Sequence, residues 1–340
     1  MNQYQCNTQY LRTEDPNIMS HSFHVSRSEV HLKWDNALKP VHTVDSGTEV
    51  TFDLMDGGYN QFTATSTAAD VGNFDAAFAD PAFGPVYVNG AEVGDVLRIE
   101  FLDLKTATYG WTAVLPGSFG FGLLADEFPE AALKIWDLET HKEEGYTVFK
   151  EGIHIPIRPF LGVVGLAHGE EGQFSTIPPY DTGGNIDCKH IGIGSMLYLP
   201  VKVKGALFSC GDGHAAQGDG EVCGTAIETP MKAKVKLTVE KGKPWVVSPH
   251  YITKPIGTTA VENRGEYAAL GIDADLREAS RKAVRGLINW LVGEKGLTRV
   301  EGYMLASVAG DLKIAEAVDM PNYAVACSLP LSVFVKAPYL

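Results

Sequence analysis

Residues 205–228 read GALFSCGDGHAAQGDGEVCGTAIE. Asp212, His214, Asp219, Glu221 and Glu228 stand there among glycines and two short apolar runs, so carboxylates and an imidazole fall on a backbone able to turn tightly. One reading is a pair of hairpin turns, because Asp-Gly occurs at 212–213 and again at 219–220 between strand-like segments. The other is a site. Divalent ions take Asp and Glu oxygens and His nitrogen, and Asp212-x-His214 puts two such ligands on one side of an extended chain. The two readings are compatible. An EF-hand is excluded, since the ladder of oxygens ending in a twelfth-position Glu is missing.

Outward from this stretch, the chain of 340 residues is 45% hydrophobic and 21% charged, enough for a large core without disulfide staples. A net charge of −14 argues against nucleic acid or an anionic membrane as partner, and for small neutral or cationic substrates. No apolar run is long enough to span a bilayer, and the first residues are polar, so neither a membrane span nor a secretory signal is expected. Cys6, Cys188, Cys210, Cys223 and Cys327 are scattered without CxxC spacing, the pattern of reduced cytosolic thiols.

The texture is that of strands. Thr48–Leu54 alternates, and 84–104 reads as two strands joined through Asn89-Gly90 with a second turn at 91–95, the kind of hairpin that builds sandwiches and barrels. Residues 111–114 and 133–138 flank the apolar, glycine-rich loop PGSFGFG. Ile153, Ile155 and Ile157 share a face beside prolines that suggest an edge strand. Strand material follows in SMLYLPVKVKGALFS (195–209), and KAKVKLTVEKGKPWVV (232–247) reads as an amphipathic strand pair. A helix is expected from a cap at Asp273 or Asp275 to about Gly293, with Leu276, Ala279, Ala283, Leu287, Ile288 and Leu291 recurring at three and four. A second helix near 300–308 and a strand at 324–335 close the chain. Asp187 sits at a glycine-rich strand end, as a site residue or as an Asx turn.

This gives a mainly β (α+β) fold of sandwich- or barrel-like subdomains with a small C-terminal α/β part. The expected division is an arm over 1–26, a β-rich subdomain over 27–180, a second over 181–260 carrying the acidic loop, and a helical part over 261–340 returning to the sheet. No dinucleotide fingerprint, P-loop or repeat is visible.

The motifs GPVYVNGAEVGD (84–95), LLADEFPEAALKIWDLE (123–139), IPIRPFLGVVG (155–165), GGNIDCKHIGIGSMLYLPV (183–201), GDGHAAQGDGEV within 211–228, and SVAGDLKIAEAVDMPN (307–322) resemble the acetamidase/formamidase family. The resemblance runs in order from about Val30 to the C-terminus. It implies a β-rich fold, a cytoplasmic homo-oligomer (a dimer or higher) and hydrolysis of short amides such as formamide or acetamide to carboxylate and ammonia. Asp187 matches the aspartate of the family's GGNxD, while His31 and Trp34 match its HxxW, which makes His31 a candidate catalytic residue. Cys188 and Cys210 depart from the small or apolar residues the family tends to have there, so neither suits a family-wide nucleophile.

Amide hydrolysis needs an activated nucleophile, a stabilised oxyanion and a protonated leaving nitrogen. The expected route is a divalent metal, zinc first with manganese or calcium as alternatives, held by Asp187, Asp212 and His214, with Glu221 or Glu228 moving the proton. Other routes are a Cys223 thiolate or a metal-free carboxylate and histidine pair, acting on amides or carbamates. From another class, the scaffold would serve as a small-ligand-binding protein with a structural ion.

Overall fold

The computed structural model describes residues 23–331 and 334, apart from 116–120, 124, 126–127, 152, 222, 255–264, 300–301, 303–305 and 307–309. The arm expected over 1–26 lies outside the described residues up to residue 22. Most of the PGSFGFG loop and of the helix expected near 300–308 also fall outside them.

Strands dominate. A nine-stranded sheet runs, in spatial order, through Phe23–Val25, Thr48–Leu54, Met231–Glu240, Val96–Thr106, Met196–Pro200, His250–Ile252, Glu266–Asp273, Tyr323–Pro330 and Asp311–Glu316. A seven-stranded sheet runs through Pro179–Tyr180, Gly183–Asn185, Phe160–Leu166, Phe208–His214, Ala82–Val88 and Val30–His31, with His42–Val44 also pairing Ala82–Val88. The two sheets share one core, as in a sandwich. Alternation decides which side chains enter it: Val50, Phe52 and Leu54 are buried from one sheet, and Phe83, Val86, Leu161, Val164 and Phe208 from the other. Phe52 and Phe208 meet edge to face across the gap, with ring centroids 5.9 Å apart. Each such aromatic contributes roughly 1.5–3 kcal/mol by leaving water.

Two strand readings are corrected. Ala82–Val88 and Val96–Thr106 do not form a hairpin, because they belong to different sheets. The glycines at 90 and 94, with φ of 80° and 93°, make consecutive turns that carry the chain over the sandwich edge. Likewise, 232–247 is not a strand pair but the single long strand Met231–Glu240, whose neighbours are Thr48–Leu54 and Val96–Thr106. After it the chain turns, and Trp245 is drawn onto the helix instead of into a ladder.

That helix, Leu276–Lys295, begins where Asp275 accepts a hydrogen bond from the Glu278 amide at 2.8 Å. Ala279, Ala283, Leu287 and Leu291 pack on the face of the nine-stranded sheet opposite the shared core. It passes through Gly293 and stops at Gly296, which takes the left-handed conformation at φ 67°. Asp275→Ala is expected to lower stability by about 1 kcal/mol, with Asp275→Asn near neutral, in urea unfolding.

Candidate active site

At one end of the sandwich, the strand Phe208–His214 brings Asp212 and His214 into the interior, each about 2% exposed or less. Glu228 reaches the same point from a separate segment, held by isolated bridges to His214 and to Trp111. Asp187 lies two residues beyond the short strand Gly183–Asn185, and Glu221 comes from the turn at 218–221. The five side chains converge. His214 Nε2 lies 3.0 Å from Asp212 Oδ2, 3.1 Å from Glu228 Oε2 and 4.0 Å from Glu221 Oε1, while Nδ1 lies 3.6 Å from Asp187 Oδ1.

The backbone is distorted to achieve this. Asp80, Asp187, Asp212 and Glu221 all have positive φ, between 40° and 53°, a region L-residues other than glycine adopt at a cost of roughly 1–3 kcal/mol each. The reading of Asp212-Gly213 as a hairpin turn therefore fails, since both residues lie within a strand. Glycines supply the close approach. A Cβ on Gly162 would stand 2.1 Å from Asp212 Oδ2 and 2.5 Å from Asp187 Oδ1, and one on Gly57 would stand 2.4 Å from Asp212 Oδ1.

Sequence reasoning passed over several neighbours. Asp80, Asn185 and Asp319 line the same cavity, and Asn185 Nδ2 donates to Asp319 Oδ2 at 2.9 Å. Glu316 accepts from the amides of Val318 and Asp319 and lies close enough to influence Asp187. Two of these signals were within reach: Asn185 sits in GGNID, and Glu316 and Asp319 sit in the 307–322 motif. Asp80 precedes a proline, where an extended φ is the usual state, and nothing in the sequence announces its departure.

His31 is not brought to the cluster. Its Nδ1–H donates to the Lys33 carbonyl at 2.9 Å, its Nε2 accepts from the Ser209 hydroxyl at 2.8 Å, and its ring stands edge-on to buried Trp34. Burial holds it neutral, with its pKa lowered to about 4. Asp219 faces away, paired with Lys189 at 2.8 Å and His190 at 3.1 Å. Cys188 and Cys210 are buried thiols, Cys188 pushed up to about 12 and Cys210 likewise raised by burial. Cys223 donates to the Thr225 carbonyl at 3.4 Å.

Electrostatics follow from the composition of the cluster. No lysine or arginine is among the described residues lining the cavity. Burial and the neighbouring acids raise Asp80, Glu221 and Asp319 well above the usual carboxylate range. Burial lifts Asp187 to about 6 and Glu228 to about 8, against the pull of His214. Burial works against charge on His214, but Asp212 and Glu228 beside it win and hold its pKa well above normal. Asp212 stays low: burial opposes its charge, yet His214 and hydrogen bonds outweigh it.

The donor set fits a divalent cation. Asp187, His214 and Glu221, and equally Asp212, His214 and Glu228, each offer three ligand atoms within 4.8 Å of one another. Both Asp187 oxygens, Asp212 Oδ1, Glu228 Oε2 and His214 Nδ1 are buried without a hydrogen-bond partner. Unpaired buried acceptors are costly, and a cation among them removes that cost.

The cavity above the cluster has a volume of about 30 Å³ and an apolar wall of Phe74, Ala79, Trp111, Leu115 and Phe121. Clustered acids and one imidazole beneath an aromatic wall, on a β sandwich, are a chemistry suited to moving protons. The Acetamidase/Formamidase family matches residues 19–172 and 169–336, and the chain belongs to that family, one of hydrolases acting on amides. It is 28% identical to a formamidase of Methylophilus methylotrophus, over 90% of this chain and 89% of that protein. It is 26% identical to an acetamidase of Mycolicibacterium smegmatis, over 82% and 87%. The crystal structure of an acetamidase from Bacillus halodurans superposes with a TM-score of 0.82 at 30% identity, covering 92% of this chain and 98% of that one. Among the described residues no helix is long and apolar enough to cross a membrane.

Gly162→Ala is expected to force the Asp187 and Asp212 carboxylates apart and to lower amide hydrolysis by a factor of about 100 or more, since misplacement by about 1 Å has that effect. The check is steady-state kinetics beside an unfolding curve. A second expectation concerns pH. Folded Glu228 and Glu316, both near 8, hold protons the unfolded chain has released, and raised His214 contributes with the same sign. The buried neutral histidines His31 and His250, lowered by burial, complete their opposing contribution below the ordinary histidine pKa of 6.5. Stability of the chelator-treated protein should therefore fall as pH rises from about 6.5 through about 8, and added divalent ion should flatten that slope in urea titrations.

Proposed function

We propose that this chain hydrolyses short aliphatic amides, formamide and acetamide foremost, to the carboxylic acid and ammonia, using water activated in the carboxylate–imidazole cluster. The observation that carries this reading is the pairing of that cluster with so small a cavity. A cavity of about 30 Å³ walled by Phe74, Trp111, Leu115 and Phe121 favours short acyl groups over long ones. The names of the relatives, formamidase and acetamidase, agree with it.

Asp187, Asp212 and His214 would hold a divalent ion, His214 belonging to both of the three-donor groups and each aspartate to one of them, with zinc the best match to a mixed oxygen and imidazole set. When bound, such an ion lowers the pKa of water and polarises a carbonyl. The chain's own residues supply the rest. Glu221, 4.0 Å from His214 Nε2, takes the proton that the attacking water gives up as its oxygen bonds to the carbonyl carbon, a role that requires a cation in the cluster to displace the proton burial otherwise holds on it. Glu228, whose buried carboxyl keeps its proton to about 8, delivers one to the amide nitrogen as the C–N bond breaks. Trp111 and Phe160 keep bulk water out: Trp111 bridges to Glu228, and Phe160 packs edge-on to His214 with centroids 4.9 Å apart.

His31 serves the site indirectly in this reading, by fixing the Ser209 hydroxyl on the strand that bears Asp212 and His214. The thiol route is the weaker one: Cys188 and Cys210 are held protonated by burial, and the Cys223 thiol is engaged with Thr225. A chain of this family acting inside the cell, as a dimer or larger oligomer, remains part of the proposal.

Ammonia release should show Glu221→Gln and Glu228→Gln folded and slowed by about 100-fold or more, while Cys223→Ser retains its rate. If both glutamine variants keep full activity, the proton roles are wrong. A proton donor at Glu228 also requires kcat to fall on the alkaline limb of its pH profile, and Glu228→Gln to lose that limb. Across a homologous series, kcat/KM should drop from acetamide to butyramide. Phe121→Ala or Leu115→Ala should recover part of the loss, whereas an unchanged preference would remove the wall from the account.

A further inference from the structure

One carboxylate of the catalytic cavity is left without a role. Asp80 lines the cavity, yet neither three-donor group suited to an ion includes it. Asp187, Asp212, Glu221 and Glu228 are less than one-tenth exposed, whereas Asp80 is only half-buried. Its carboxylate makes no hydrogen bond or ion pair, and unlike the enclosed unpaired oxygens of Asp187, Asp212 and Glu228 it keeps open surface. A molecule in the cavity can therefore reach it.

The backbone fixes Asp80 beside the cluster. Its amide donates to the Gly57 carbonyl at 2.8 Å, and the strand Ala82–Val88 that begins just after it pairs Ala82 with Gly211, the residue before Asp212. The approach is close, since a Cβ on Gly211 would overlap the Pro81 carbonyl oxygen. The outcome is a φ of 51° at a residue preceding proline, a strained state that persists where the surroundings impose it. From this position the Asp80 carboxyl feels Asp212, Asp187, Glu228 and His214 together.

The side-chain donors of the cavity are engaged elsewhere. Asn185 Nδ2 donates to Asp319 and the Thr225 hydroxyl to the Ala113 carbonyl, each at 2.9 Å, while His214 turns its two nitrogens to Asp212, Glu228 and Asp187. The Trp111 N–H is enclosed beside Asp56, which does not line the cavity. With no lysine or arginine among the described lining residues, a donor for Asp80 comes from whatever occupies the cavity. A primary amide brings two N–H donors, and an ester of the same acyl group brings none. Ionised or protonated, a carboxyl keeps an acceptor oxygen for one of them.

We propose that Asp80 accepts a hydrogen bond from the N–H of the substrate amide and so selects amides over the corresponding esters. This role rests on amide hydrolysis at the cluster. Asp80 forms and breaks no covalent bond in it, and Glu228 remains the donor to the leaving nitrogen.

Acetamide and methyl acetate, which share an acyl group and differ in the N–H, are compared as substrates of the unaltered chain, Asp80→Gly and Asp80→Asn. Glycine tolerates the left-handed φ and removes the acceptor; asparagine tolerates it and keeps one acceptor oxygen. The ratio of kcat/KM for the amide to that for the ester is taken within each preparation, so the folded fraction cancels. It should fall by about tenfold or more in Asp80→Gly, the loss expected for one hydrogen bond, and by less in Asp80→Asn. Bound metal, measured by mass spectrometry, should match that of the unaltered chain in both variants. An unchanged ratio in Asp80→Gly overturns the proposal, as does a fall in Asp80→Asn as deep as that in Asp80→Gly. Loss of metal overturns it too, by making Asp80 a ligand of the ion. An unaltered chain that hydrolyses no amide overturns the catalytic reading and the role of Asp80 together, whereas amide hydrolysis with an unchanged ratio overturns the role of Asp80 alone.

Discussion

The constraint on which the structure depends is the burial of many acids around one base. Asp187, Asp212, Glu221, Glu228 and Asp319 are each less than one-tenth exposed, His214 stands among them, and no lysine or arginine lines the described cavity. Charges of one sign cannot share a dry interior. Either several carboxyls keep their protons, which is the state their raised pKa values describe, or a cation is shared among them. The geometry is suited to the second state, because both Asp187 oxygens, Asp212 Oδ1 and Glu228 Oε2 lack hydrogen-bond partners and their side chains offer ligand atoms close to those of His214. A surface arrangement of the same residues would carry no such obligation, since solvent would screen it.

Holding like charges together requires a frame that does not yield, and the sandwich supplies it. Phe160–Leu166 and Phe208–His214 are central strands of the seven-stranded sheet, bonded on both sides, and Phe208 is packed into the common core. On this base the chain sustains left-handed φ at four acidic residues, with backbone at Gly57 and Gly162 pressed against carboxylate oxygens. Remote parts of the chain contribute as well. Gly220 bridges to Glu316 of the hairpin 311–330, so the C-terminal segment fixes the turn that presents Glu221. Lys189 and His190 hold the same turn from the other side through Asp219.

The fold class was legible because alternation reports which face of a strand is buried, and Val50, Phe52 and Leu54 sit as that rule requires. Pairing partners were not. Asn89-Gly90 carries a strong hairpin signal, yet the strands on either side join different sheets, a choice made by contacts far away in sequence. The amphipathic run after Pro230 extended further than one strand by pattern, and the helix pulled Trp245 out of it. In the site, Asp187, Asp212, His214, Glu221 and Glu228 were visible as chemistry-bearing residues in glycine-rich stretches, and they do meet. Asp80 was hidden because its part depends on a strained φ and on proximity to Asp212. His31 looked like a catalytic residue by motif, but both its ring nitrogens are already engaged by Lys33 and Ser209.

The most direct test is metal content set beside activity. Protein as purified, after exhaustive chelation, and after return of zinc or manganese would be assayed for ammonia release from formamide and acetamide, with bound metal measured by mass spectrometry in each sample. The account predicts stoichiometric divalent metal in the active protein, loss of hydrolysis with its removal, recovery on its return, and weakened metal retention in Asp187→Asn. Full activity in a sample shown to be free of metal would contradict it, and would return the chemistry to the carboxyls and His214 alone.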